Sequence, residues 1–384
     1  MGLLTGLCAL YNPHGGIRND HSCGTTRLDA MTGDFTDQRA RLRHHGDVDA
    51  APGLADFAVN VTRDRPPDWL LAELTAELAG LGRYPSVDAD AAARAAVAAR
   101  HGRSPSDVLV LAGAAEGFAL LPALRPALAA VVHPSFTEPE IALADAGIPV
   151  HRVLLRPDDG YALHPDRIPA EADLVVLGNP TNPTSVLHPA DTVRALARPG
   201  RVLVVDEAFM DAVPGEPASL ASIPMPGLLV LRSLTKTWAL AGLRAGYAMA
   251  APDLLARLAR HRPQWPVGSL VLAAVRACAA PSAVAQAHQA AVELTRHRAW
   301  LADRLAALPG VDVHRPASAP FLLLRVPDGP GLRRALRDRG VAVRRADTFP
   351  GLTPDHLRVA VRSPHRCAPL LAALHAELAE GIPA

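Results

Sequence analysis

The chain has 384 residues, 49% of them apolar, and a formal net charge of +1. That length is long for one hydrophobic core and favours two domains. The balanced charge, with no basic or acidic block, argues against a nucleic-acid or membrane-surface partner.

Residues 1–50 read as an N-terminal tail, polar, glycine-punctuated and weakly periodic, with the character of a disordered segment. Its apolar start lacks a basic flank, is cut by Pro13 and is too short to span a bilayer. Gly6 stands where a myristoylation signal carries a hydroxyl. Cys8, His14, His21 and Cys23 are spaced too irregularly for a metal site, so no metal is assigned. With Cys278 and Cys367 the cysteines are scattered and form no C-x-x-C pair, which suits reduced thiols in a cytoplasm.

Residues 56–61 form a short extended run. Pro66-Pro67 opens an amphipathic helix with Trp69, Leu70, Leu74 and Leu78 on one face. A break at 82–85 precedes an alanine-rich helix over 89–101, stopped by Gly102. Residues 51–104 are therefore expected to form an arm and helices joining a smaller domain.

From Asp107 the rhythm becomes strand–helix. Apolar runs at 108–111, 130–133, 149–154, 173–177, 202–205 and 227–231 alternate with helices at 118–124, 138–146 and 191–197. This predicts an α/β domain over 105–262, with a mostly parallel sheet covered by helices. Ligands bind such sheets beyond the carboxyl ends of the strands, and there the polar residues collect. The turn after the first strand is rich in small residues (Gly113-Ala-Ala-Glu-Gly117), so backbone N–H groups can approach an anion. Beyond Pro263, two long helices meeting at Pro281 lead into short strands and helices. These predict a smaller α+β domain over 263–384.

The stretch Ser233-Leu-Thr-Lys236 through Gly242-Leu-Arg-Ala-Gly-Tyr247 carries the chemistry. A primary amine stands beside two hydroxyls and a guanidinium, in a chain whose basic residues are nearly all arginine. A lysine amine becomes a nucleophile toward carbonyls when burial or a nearby cation lowers its pKa. A cofactor with both an aldehyde and a phosphate would use every part of this stretch, which points to pyridoxal phosphate. Ser233 and Lys236 also spell the Ser-x-x-Lys of penicillin-binding acyl transferases, but the accompanying S-D-N and K-T-G elements are missing.

In order along the chain stand Asn179-Pro-Thr-Asn-Pro-Thr184, Asp206-Glu-Ala-Phe209, Ser233-Leu-Thr-Lys236 and Gly242-Leu-Arg-Ala-Gly-Tyr247. This series resembles the fold-type I pyridoxal-phosphate enzymes, the aspartate aminotransferase superfamily, from about Asp56 to the C-terminus. The resemblance implies that Lys236 bonds the cofactor aldehyde and later shuttles protons, and that Asp206 keeps the pyridine nitrogen protonated. It gives Asn182 to the ring oxygen and Phe136 to stacking on the ring. Ser233, Thr235, Arg244 and the N–H groups of Ala114 and Ala115 go to the phosphate. Tyr84 would reach the phosphate of a neighbouring subunit, implying a homodimer.

Within the superfamily the chain resembles the threonine-phosphate decarboxylase and histidinol-phosphate aminotransferase branch. Asp56-Phe-Ala-Val-Asn60, with His45-Gly46 before it, is similar to the decarboxylase entry segment, and Asn60 joins the expected substrate ligands. Phe209 replaces the tyrosine of typical aminotransferases. Leu357-Arg-Val-Ala-Val-Arg362 implies Arg358 for the α-carboxylate and Arg362 for a substrate phosphate. Ser185 and Gly268 depart from the family's glycine and asparagine.

The expected activity is decarboxylation of threonine phosphate in cobalamin biosynthesis, with aminotransfer on a substrate such as histidinol phosphate as the alternative. A regulator built on the same fold is disfavoured, because no DNA-binding segment precedes Asp56.

Overall fold

The computed structural model describes residues 39–380. The chain divides into two units between Arg41 and Leu42, and both sheets lie in the second. The four candidate metal ligands of the tail and the apolar start at 1–10 lie outside the described residues.

The architecture is two-domain α/β. A seven-stranded sheet has the order β2-β8-β7-β6-β5-β3-β4. Its strands are Val108–Leu111 (β2), Ala129–His133 (β3), Val150–Leu154 (β4), Leu174–Gly178 (β5), Val202–Asp206 (β6), Leu228–Ser233 (β7) and Gly246–Met249 (β8). Strands β7, β6, β5, β3 and β4 run parallel, while β8 is antiparallel to both its neighbours. The central strands β3 and β7 are buried along their whole length, because helices cover both faces; hence their unbroken Val and Leu runs. One face packs on Leu70, Val97 and Leu272, the other on Phe118, Leu143 and Leu258. Full burial of a side chain such as Leu70 contributes roughly 1.5–3 kcal/mol.

A five-stranded sheet has the order β1-β11-β12-β10-β9. It is built from Ala55–Phe57 (β1), Asp312–Val313 (β9), Phe321–Arg325 (β10), Val341–Arg345 (β11) and His356–Ala360 (β12). Only β1 and β11 run parallel. Leu301, Leu305, Leu370 and Leu374, from the helices Pro281–Ala306 and Pro364–Glu380, back it.

Three local readings change. Helix starts at Ala114, with Gly113 as its N-cap at φ 80°, so residues 114–117 are the first helical turn and not a loop before it. Strand β8 escapes the hydrophobic pattern, since Gly-Tyr-Ala-Met is too short to show a period. It lies against the turn at 113–114, where a side chain at Gly246 would come within 2.6 Å of the Arg232 carbonyl and 2.9 Å of the Ala114 nitrogen. Finally, the helices Asp68–Leu78, Val87–His101 and Ser269–Cys278 pack on the core of the large sheet, not the small one. Their apolar faces match the open side of that sheet, and only β1 of residues 51–104 pairs with the small sheet.

No single helix among the described residues is long and apolar enough to cross a membrane.

Candidate active site

The carboxyl ends of β2, β3, β5, β6 and β7 open on one cavity of about 410 Å3. Asp206 ends β6 and Ser233 ends β7, with Thr235 and Lys236 in the turn beyond. Ala114, Ala115 and Phe136 follow β2 and β3, Asn182 follows β5, and Arg244 precedes β8. All of them line the cavity.

Lys236 is the only lysine in the chain. Its amine and the Asp206 carboxyl are partly accessible because they face this cavity, while protein surrounds them otherwise. Burial, then the Arg358 and Arg244 cations, push the amine down to about 8. Burial pushes the Asp206 carboxyl up to about 7, against the N–H of Ala208, which it accepts at 3.0 Å. Each is the other's counter-charge, drawing the carboxyl down and the amine up, but neither offsets the effect of burial. The Lys236 carbonyl accepts both the N–H and the hydroxyl of Thr62, at 3.2 and 3.1 Å, which fixes the lysine turn from outside the sheet.

At one end of the cavity the Ser233 and Thr235 hydroxyls lie 2.8 Å apart. Nearby, a side chain at Gly113 would come within 3.1 Å of the Arg244 guanidinium. At the other end Arg358 donates to Asn182 Oδ1 at 2.7 Å and to the Ala58 carbonyl, with its guanidinium 5.3 Å from the Phe321 ring. Its Nε and the Asn60 Oδ1 are buried without a hydrogen-bond partner. Such orphans are costly unless a ligand satisfies them.

The model of the class I and II aminotransferase family matches residues 53–374. The chain belongs to that family. The chain is 55% identical over 339 residues to proteins of Mycobacterium tuberculosis and Mycobacterium bovis described as histidinol-phosphate aminotransferases, spanning 88% of its own length and 92% of theirs. It is 33% identical to the threonine-phosphate decarboxylase of Salmonella typhimurium, over 84% of its length and 90% of the relative's. Among solved structures, the L-threonine-O-3-phosphate decarboxylase of Porphyromonas gingivalis superposes with a TM-score of 0.75 at 25% identity, over 84% of this chain and 99% of that one. The histidinol-phosphate aminotransferase of Clostridium acetobutylicum gives 0.78 at 21%, with the same coverage, a likeness of fold.

Arg362, expected to bind substrate, lies elsewhere, and Tyr84, expected to reach a neighbouring subunit, lies at the surface. Arg362 donates to the carbonyls of Asp56 and Val59, at 3.2 and 2.7 Å, and lines a different cavity. Tyr84 is 73% exposed and stacks on Trp265 at 4.1 Å. Conversely, Asp47, Arg344 and Phe349 line the cavity with no sequence signal to mark them, and His45, noted only for preceding the entry segment, joins them.

The segment 44–49, read as loose tail, is tied down. His45 Nε2 lies 2.6 Å from Glu138, and its ring is 5.2 Å from that of Phe136. Asp49 accepts from Arg333 at 2.8 Å and lies 3.5 Å from Arg344. Its order comes from partners distant in sequence, which local composition does not reveal. The pair His45-Gly46 was the one available signal: a side chain at Gly46 would come within 2.5 Å of the Ala58 carbonyl.

Proposed function

We propose that this chain is a pyridoxal-phosphate-dependent aminotransferase acting on a small phosphorylated amine such as histidinol phosphate. The observation carrying this reading is the likeness to the mycobacterial relatives along nearly the whole chain. It favours aminotransfer over the decarboxylation expected from the sequence motifs.

The cavity fits the cofactor. The Ser233 and Thr235 hydroxyls, Arg244 and the Gly113 turn suit its phosphate. Lys236 suits its aldehyde, and Asp206 its pyridine nitrogen, whose positive charge would relieve the buried carboxylate. Phe136 suits the ring face and Asn182 the ring oxygen.

Bound pyridoxal phosphate supplies an electron sink for the pair left at the substrate's α-carbon. The protein directs the proton. The Lys236 amine, which burial and the nearby cations push down to about 8, is placed to take the proton from the α-carbon and hold it for return. Arg358 is anchored on Asn182 and, with the unpartnered amide oxygen of Asn60, orients the polar end of the substrate. Arg344 adds a second guanidinium to the wall, suited to a phosphate.

Reconstitution with the cofactor should give a coloured protein. That protein should form the keto product from histidinol phosphate and a 2-oxo acid acceptor, and Lys236→Ala should abolish it. Carbon dioxide from threonine phosphate, without aminotransfer, would favour the second reading. That reading is supported by the Salmonella relative and by Phe209, which packs edge-on against Phe321 at 4.9 Å and offers no phenol; a place in cobalamin biosynthesis belongs to it. A homodimer is part of the proposal, supported by the exposed Tyr84–Trp265 stack. So is a cytoplasmic location, supported by the free thiols of Cys278 and Cys367.

A further inference from the structure

Arg362 faces a second cavity, of about 270 Å3, set against the back of the lysine turn. Thr62, whose N–H and hydroxyl hold the Lys236 carbonyl, and Thr237 form the shared wall. Ala287, Ala290 and Ala291 of the helix Pro281–Ala306 form another side, small enough to leave room.

Three arginines line this cavity: Arg63, Arg362 and Arg366. Among the described residues Arg63 forms no ion pair. Arg362 is 7% exposed, yet its donors go only to neutral carbonyls, of Val361, Asp56 and Val59. Arg366 pairs with Asp64 at 2.8 Å, but both side chains lie at the surface, where such a pair is weak. Burial pushes the Arg362 guanidinium down; Asp56 opposes that and the cation of Arg366 adds to it.

Two carboxylates also line the space, and both are engaged. Asp211 is held by Arg100 at 2.7 Å and by Arg232. Glu293 is 69% exposed and lies 3.7 Å from His297. Thr237 and Ser363 add hydroxyls to the lining, while that of Thr62 donates to the Lys236 carbonyl.

We propose that this cavity is a second anion site, distinct from the catalytic one, which takes a phosphate-class oxyanion through Arg63, Arg362 and Arg366. Such an ion neutralises Arg63 and Arg362, with which no carboxylate pairs among the described residues, and competes with Asp64 for Arg366. It also bridges the segments 62–63 and 362–366, which adjoin Asn60 and Arg358 of the catalytic cavity. Occupancy therefore stiffens the loop after β1 and the end of β12, which carry Asn60 and Arg358.

The test is calorimetric titration of the full chain with sodium phosphate, against sodium chloride at equal ionic strength. Arg63→Gln and Arg366→Gln remove accessible cations and should melt like the parent without phosphate. Ala290→Leu keeps every arginine and fills the space. The expected result is a phosphate site that weakens about tenfold in each arginine variant and is lost in Ala290→Leu. Phosphate should also raise the melting temperature of the parent more than that of the variants. Identical phosphate titrations in the parent and all three variants would mean that any binding belongs to the catalytic cavity, and the proposal falls. It falls equally if the parent takes up no more phosphate than chloride.

Discussion

Ser185 Oγ accepts the backbone N–H of Ala319 at 2.7 Å and that of Ser318 at 3.1 Å. The Ser185 carbonyl takes the Ser318 N–H as well, at 2.7 Å. Ser185 is wholly buried, at φ 65°, a conformation that favours glycine. Its hydroxyl joins the loop carrying Asn182 to the start of β10, whose Phe321 lies under Arg358. The serine that departs from the family pattern is thus a clamp between the two sheets.

Ser185→Ala keeps the backbone strain and strips the acceptor from the buried Ala319 N–H, while the Ser318 N–H keeps the Ser185 carbonyl. It should cost about 1–3 kcal/mol in urea unfolding. Ser185→Gly relieves the strain and should be milder by about 1 kcal/mol. Equal losses in the two variants would show that the left-handed backbone carries no cost here.

The pH dependence of turnover should follow the Lys236 amine. Only the neutral amine accepts a proton, and it is free to do so only once substrate has taken its place on the cofactor, so kcat should rise with pH and level off above about 8. Arg358→Gln removes one of the cations that depress the amine and should move this limb to higher pH. Because Lys236 is the sole lysine, borohydride reduction of the cofactor-loaded protein should label one peptide, the one containing residue 236.

Asp206 makes a prediction for the cofactor-free protein. Its folded pKa, about 7, lies above the unfolded value, so the native state holds its proton more tightly. The associated stability is fully present below pH 4 and lost as pH rises through 7. Asp206→Asn should therefore raise the melting temperature at pH 8, by an amount corresponding to roughly 2–3 kcal/mol, and change little at pH 4. With cofactor bound the sign should reverse, since the pyridinium partner then stabilises the carboxylate.

Behind the site, Arg232 sits 1% exposed among Glu207 at 3.0 Å, Glu216 at 2.7 Å and Asp211. Glu207 also accepts the Leu220 N–H and the Ser219 hydroxyl, both at 2.6 Å. Asp206 and Ser233 precede or follow these residues directly and point the opposite way, into the cavity. Arg232→Met leaves the buried Glu207 without a cation, while Arg100 still holds Asp211 and Glu216, and should cost about 3–5 kcal/mol. A loss below 1 kcal/mol in thermal unfolding would mean that water or protonation replaces the guanidinium.

The sequence by itself determined the α/β class and the placing of Lys236, Asp206, Asn182 and Ser233 at one rim. The reason is local: apolar runs make buried parallel strands, and polar motifs at their ends have nowhere else to face. Tertiary structure alone decided which arginines reach the cavity. Alternation along a strand would put Arg358 and Arg362 on one side, but β12 ends at Ala360 and the chain turns toward the helix at Pro364, so Arg362 swings to the second cavity. Tertiary structure likewise decided that His45 and Asp47 belong to the wall of the site. Their order depends on Glu138, Arg333 and Arg344, partners far along the chain, and a local pattern carries no trace of such contacts.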